Sequence, residues 1–207
     1  MSSVIEPKEN GPNLAENLQS LRNSKGTEIL PDKKVCALCR CGKSNNKPFC
    51  DGTHNKIGFS SATDNPSAGM WRDYVGSQIT IHDNRHRCAH AGKCTDGLPN
   101  VWRMGKEPWI DPDAADVEAI IAIIDQCPSG ALSYSIGGKR TDPTGPDGIS
   151  VSKDGPYNVS GEIALKDPSR DTDDVHGRYS LCRCGASKNK PFCDGSHWDI
   201  QFKDDDN

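Results

Sequence analysis

Ten cysteines and six histidines carry most of the chemistry in this 207-residue chain, and eight of these side chains fall into one pattern written twice. Cys39–His54 reads CRCGKSNNKPFCDGTH and Cys182–His197 reads CRCGASKNKPFCDGSH. Thirteen of the sixteen positions are identical, with Lys43/Ala186, Asn45/Lys188 and Thr53/Ser196 the exceptions. Each copy offers Cys-x-Cys, eight residues, then Cys-x3-His. Two cysteines two apart in an extended stretch point to one side, and a Cys and a His four apart share one face of a helical turn. Asp51 follows Cys50 and can cap that turn, while Gly52 lets the backbone pass close to a metal. Soft and borderline donors converging from one short loop make a metal site, and the recurrence of the whole spacing argues against buried structural cysteines. Three Cys and one His suit tetrahedral zinc as well as iron.

The pattern C-x-C-x2-S-x3-P-x-C-D-G-[S/T]-H is the signature of the CDGSH iron–sulfur family, and both copies resemble it at every defined position, Ser44/Ser187 and Pro48/Pro191 included. That resemblance favours iron over zinc and implies two 2Fe–2S clusters. Cys39, Cys41, Cys50 and His54 would hold one; Cys182, Cys184, Cys193 and His197 would hold the other. In the family two such units build one body, a β-cap above two clusters, either as a homodimer or from tandem copies. This chain is similar to the tandem kind with an insertion, and is expected to lack the N-terminal membrane helix of some relatives.

The insertion carries Cys88, Cys94 and Cys127. Bacterial ferredoxins place Cys-x2-Cys-x2-Cys in a loop with a distant Cys-Pro. Here the outer two loop positions and Cys127-Pro128 are kept, and Ala91 stands where the middle Cys belongs. From Tyr74 to Ser135 the segment resembles a divergent mono-cluster ferredoxin domain (CAHAGKCTDGLPNVW, EPWI, CPSGAL). Three thiolates complete a 3Fe–4S cluster, which ligand count favours, or hold a 4Fe–4S cluster whose fourth iron needs another donor; His90 is the nearest candidate. Cys36 aligns with Tyr179 and is expected to pack. His82, His86 and His176 are expected at the surface, and Trp71, Trp102 and Trp109 in the ferredoxin-like core.

The elements that must position these residues are small. Leu, Ile, Val and Phe make up 35 residues, about 17 % of the chain, below the roughly 20 % needed to offset conformational entropy with one oily core. Twenty Gly, 14 Pro and 10 Cys point instead to loop-rich units stapled by metal. Short strands are expected at Gln78–His82, Ala131–Ile136, Ile149–Ser152, Tyr157–Val159 and Glu162–Leu165. A helix over Asp113–Gln126 follows from Val117, Ile120, Ile121 and Ile124, with Asp113 as its N-cap. Ser60–Gly69 and Asp142–Gly148 read as linkers, and Lys203–Asp206 as a solvated tail. The expected fold class is α+β with small β-rich iron–sulfur domains. Two CDGSH-type units, 1–64 and 142–207, form a pseudo-twofold body, and a ferredoxin-like mono-cluster domain spans 65–141.

A net charge of −4 with no basic stripe excludes a nucleic-acid footprint. Residues Met1–Asn10 contain no apolar signal region, and the longest apolar run, Ala119–Ile124, falls far short of the roughly 20 residues of a membrane helix. Ten cysteines without a secretory signal imply metal binding in a reducing, cytoplasmic setting. The expected function is one-electron transfer to an unknown redox partner, with cluster delivery to apo-proteins or redox sensing as the alternative. No nucleophile elbow, phosphate loop or dinucleotide fingerprint points to an enzyme. The chain is expected to be a monomer whose repeats pair internally.

Overall fold

A computed structural model describes residues 2–63, 70–168, 172 and 175–204. Asp64–Gly69 of the first expected linker, its boundary at 64/65, and Asp205 and Asp206 of the expected tail lie outside the described residues. The first repeat supplies β1 (Val4–Pro7), β2 (Asn13–Glu16), β3 (Leu21–Arg22), β4 (Val35–Leu38) and the one-turn helix α1 (Thr53–Lys56). The central segment holds β5 (Arg72–Val75), β6 (Thr80–Asp83), α2 (Lys93–Gly97), α3 (Val117–Ile124), β7 (Leu132–Ile136) and β8 (Lys139–Thr141). The second repeat brings β9 (Gly148–Val151), β10 (Tyr157–Gly161), β11 (Ala164–Leu165), β12 (Gly177–Leu181) and α4 (Ser196–Asp199).

The described residues form three four-stranded sheets, ordered β11-β1-β2-β4, β12-β10-β9-β3 and β5-β6-β7-β8. The first two exchange strands. Strand β11 joins β1 in parallel, Val4 opposite Ala164, and β3 joins β9 in parallel, Leu21 opposite Ile149. Each repeat is too short to bury an adequate core alone, and the exchange merges their apolar faces. Alternation along β1, β2 and β10 turns every second side chain inward. Ile5, Leu21 and Leu38 thereby pack in one cluster with Ile149, Tyr157 and Leu181.

Polar bonds cross the same seam. The fully buried Tyr157 hydroxyl lies 2.9 Å from the Cys39 carbonyl and 2.7 Å from that of Pro48, so it donates into the ligand loop of the other repeat. Tyr157→Phe would leave those buried acceptors short of a donor, and a loss of about 1–3 kcal/mol is expected in denaturant unfolding. An unchanged midpoint would show that the hydroxyl contributes nothing.

In the central segment, α3 packs on β7 and closes a second core around Ile81, Trp102, Ile110, Ile120 and Ile124. Four expectations need correction. The helix starts at Val117 after Asp116, not at Asp113, because the Asp113 carboxylate is engaged by the Ser77 backbone N–H and hydroxyl. His82 is buried rather than at the surface, held between Asp73 and Ser135 across the sheet. Trp71 lies outside the core, its ring 5.7 Å from the Arg87 guanidinium and 4.0 Å from that of Arg140. Asp204 is not solvated: it forms a fully buried ion pair with Arg183. Trp102 is in the core and Trp109 packs against it, as expected. Among the described residues no helix is long and apolar enough to cross a membrane.

Candidate metal centres

Each repeat brings its four expected donors together two by two. Cys39 and Cys41 leave β4 with their Sγ atoms 3.7 Å apart, and Cys50 Sγ lies 3.3 Å from His54 Nδ1 on α1. In the second repeat the same separations are 3.8 Å for Cys182 and Cys184 and 3.4 Å for Cys193 and His197. Two sulfurs about 2.3 Å from one tetrahedral metal stand about 3.8 Å apart, and a sulfur with an imidazole nitrogen about 3.5 Å apart. Each pair therefore matches the bite of one metal atom. Among the described residues no group of three or more such side chains gathers around a single point.

The remaining signature residues build the loop. Cys39 N–H donates to the Pro48 carbonyl and Cys50 N–H to that of Ala37, with Cys182 to Pro191 and Cys193 to Ser180 in the second copy. Ser44 Oγ donates to the Phe49 carbonyl and accepts from Asn46 N–H, as Ser187 does with Phe192 and Asn189. Gly52, not Asp51, is the N-cap of α1; Asp51 stands one residue before it and accepts from Thr53 N–H and Asn45 N–H. These bonds, that from Asn45 foremost, hold its carboxyl well below the usual range.

Burial opposes ionisation of the thiols. It pushes Cys41 up to about 11 and Cys193 up to about 12. In the tightly coupled pair of the second copy, the hydrogen bond between the two sulfurs lowers Cys182 and raises Cys184. Thiolates at such positions need a cation beside them, so the donor set fits a metal cluster.

The two sites differ in cover. Gly52 has nothing within 4 Å of where its Cβ would stand, whereas the same position in the second copy, Gly195, would meet the His90 ring at 3.1 Å. The central segment thus covers the second site, and Cys193 and His197 are buried while Cys50 and His54 are only half-buried. The two ligand loops also touch each other: a Cβ on Gly42 would stand 2.5 Å from the Cys184 carbonyl oxygen, and one on Gly185 2.7 Å from that of Cys41.

The third expected trio lines one cavity without converging on a single point. Cys88, Cys94 and Cys127 face this cavity from the loop before α2, from α2 itself and from just beyond the C-terminal end of α3. Burial pushes Cys94 up to about 11 and raises Cys88 as well. Ala91 lines the cavity where a fourth Cys would be. His90 does not: at φ 54 its ring turns to Gly195 instead. Cys36 is a buried packing residue on β4 whose thiol burial pushes up. Sequence reasoning missed Asp83 and Arg85, which line the same cavity; a buried acid at a strand end leaves no spacing signature.

Small β-rich units whose loops gather thiols and imidazoles define a metal-cluster protein. Residues 10–55 and 154–198 match the family described as iron-binding zinc finger CDGSH type, and 74–137 match the one described as divergent 4Fe-4S mono-cluster. The uncharacterized protein YjdI of Escherichia coli strain K12 is 41 % identical over 66 residues, 32 % of this chain and 87 % of that protein. The CDGSH iron-sulfur domain-containing protein 2 homolog of Drosophila persimilis is 43 % identical over 37 residues, 18 % of this chain and 28 % of that protein. The chain thus carries two copies of a CDGSH-type iron-binding domain flanking a divergent 4Fe–4S mono-cluster domain.

Proposed function

We propose that this protein is a non-enzymatic one-electron carrier. It holds two 2Fe–2S clusters, on Cys39, Cys41, Cys50 and His54 and on Cys182, Cys184, Cys193 and His197, and a three- or four-iron cluster on Cys88, Cys94 and Cys127. When bound, such clusters supply reversible one-electron chemistry at potentials set by ligands, hydrogen bonds and exposure. The observation that carries the reading is the run of contacts from site to site. His90, beside Cys88, packs on Gly195 of the second site, and Gly42 and Gly185 press the second ligand loop against the first. The central site therefore neighbours the second site, and the second neighbours the first. Reciprocal strand exchange supports a pseudo-twofold body for the repeats, acting as a monomer, with units at 1–64, 65–141 and 142–207. Anaerobic redox cycling against a small electron donor, followed by iron analysis, tests this: full reversibility without iron loss is expected, and iron loss in each cycle would overturn it.

Delivery of 2Fe–2S to an apo-protein is the second reading, favoured by the half-exposed Cys50 and His54. In that case iron should pass to an apo-acceptor from the first site and stay in the second.

Proton competition offers a check on the ligand sets. Each His ligates through Nδ1 only while that nitrogen is unprotonated. On acidification the first site, with its half-exposed His54, should lose its absorbance before the second, where His197 is buried. His54→Cys with His197→Cys should hold both to lower pH, since a thiolate replaces the basic imidazole. Equal acid lability of wild type and double variant in a pH-jump absorbance series would refute these ligand sets.

A further inference from the structure

The central cavity has three thiols and, at the place of a fourth, the methyl of Ala91. Another buried donor stands in its wall. Asp83, the last residue of β6, is 1 % exposed, and its two carboxylate oxygens are treated unequally. Oδ2 accepts from Trp109 Nε1 at 3.3 Å and lies 4.0 Å from Arg85 Nε, whereas Oδ1 has no hydrogen-bond partner. A buried carboxylate oxygen without a donor is costly unless a cation or donor meets it. Burial outweighs the nearby Arg85 charge and the Trp109 hydrogen bond and pushes this carboxyl up to about 6, and a bound metal cation inverts that preference. The Asp83 charge is also close enough to act on the Cys88 thiol.

We propose that Asp83 is the fourth protein ligand of the central cluster, which is then a 4Fe–4S cluster held by Cys88, Cys94, Cys127 and a carboxylate oxygen. This rests on the reading that these three cysteines hold a cluster at all. Iron accepts carboxylate ligands, and one carboxylate in place of one thiolate keeps four anionic donors around the site. Sequence spacing looks for the fourth donor beside Ala91 and finds only His90, whose ring faces the second repeat. Asp83 comes from the neighbouring strand, five residues before Cys88.

The test is iron content with EPR and Mössbauer spectroscopy on anaerobically purified full-length protein. Wild type should show a four-iron cluster, and Asp83→Ala should lose one iron per chain and gain the oxidised 3Fe–4S signal. Asp83→Cys should keep four irons with an altered reduced spectrum, which guards against a mere folding defect in the alanine variant. Ser129→Ala, whose hydroxyl lies 3.7 Å from Cys127 Sγ, should keep all four irons, since it removes no ligand. Four irons retained in Asp83→Ala, or a three-iron cluster already in anaerobic wild type, overturns the Asp83 assignment and leaves the third cluster standing. Iron content unchanged on replacing Cys88, Cys94 and Cys127 together by alanine overturns the third cluster itself.

Discussion

Asp204→Ala should destabilise the protein by about 3–5 kcal/mol in denaturant unfolding, the range for removing one partner of a buried ion pair. Arg183 stands between Cys182 and Cys184, two of the proposed ligands, with its side chain wholly enclosed. Its Nη1 donates to Asp204 Oδ2, its Nε to the Gly155 carbonyl and its Nη2 to that of Ser152. Phe202 and Tyr157 cover the guanidinium at 5.0 and 5.8 Å. Without Asp204 an uncompensated cation would be left beneath the second ligand loop, so iron should leave that site first. The first repeat supplies a control. Ser61 occupies the position of Asp204, and Arg40, the counterpart of Arg183, donates to the Lys8 and Gly11 carbonyls instead. Ser61→Ala should cost about 0.5–1 kcal/mol at most. Equal losses in the two variants would show that the buried pair has no special role.

That pair also marks where reading the sequence fails. Lys203-Asp204-Asp205-Asp206 has the composition of a solvated tail, and nothing local reveals that one of its acids answers an arginine 21 residues upstream. His82 has the same cause: its partners, Asp73 and Ser135, sit on neighbouring strands, and only register brings them to it. Local pairing, by contrast, is legible. The Cys-x-Cys and Cys-x3-His spacings foretell which donors pair but not by what geometry. Cys39 and Cys41 lie past the end of β4, and left-handed Gly52 separates Cys50 from α1, so a loop and not one helical face brings Cys50 to His54. Strands β7 and β9 are legible to within a residue, against expected bounds of 131–136 and 149–152, as is the apolar face of α3, while the start of α3 is not, since Ser77 competes for Asp113. Asp83 and the outward turn of His90 depend on how the central segment meets its own sheet and the second repeat. No motif length reaches that far.

The junction of the two ligand loops yields the second large effect. Gly42 and Gly185 both have positive φ, 73° and 86°, where a side chain costs about 1–2 kcal/mol. Each also faces the backbone of the other loop, and a Cβ on either would meet a ligand cysteine's carbonyl oxygen inside 3.0 Å. Backbone cannot yield as a side-chain tip can, so overpacking adds about 1–3 kcal/mol. Gly185→Ala should thus cost about 2–5 kcal/mol, and Gly42→Ala a similar amount. Because Cys41 and Cys184 carry the contacts, either substitution should loosen both His-ligated sites together. Gly52→Ala separates the two contributions. Its φ is 87°, yet nothing lies within 4 Å of the added carbon, so only the conformational part, about 1–2 kcal/mol, should appear. Iron retention in both sites of Gly185→Ala, with a loss no greater than in Gly52→Ala, would mean that the loops do not brace each other and would remove the last step of the proposed electron path.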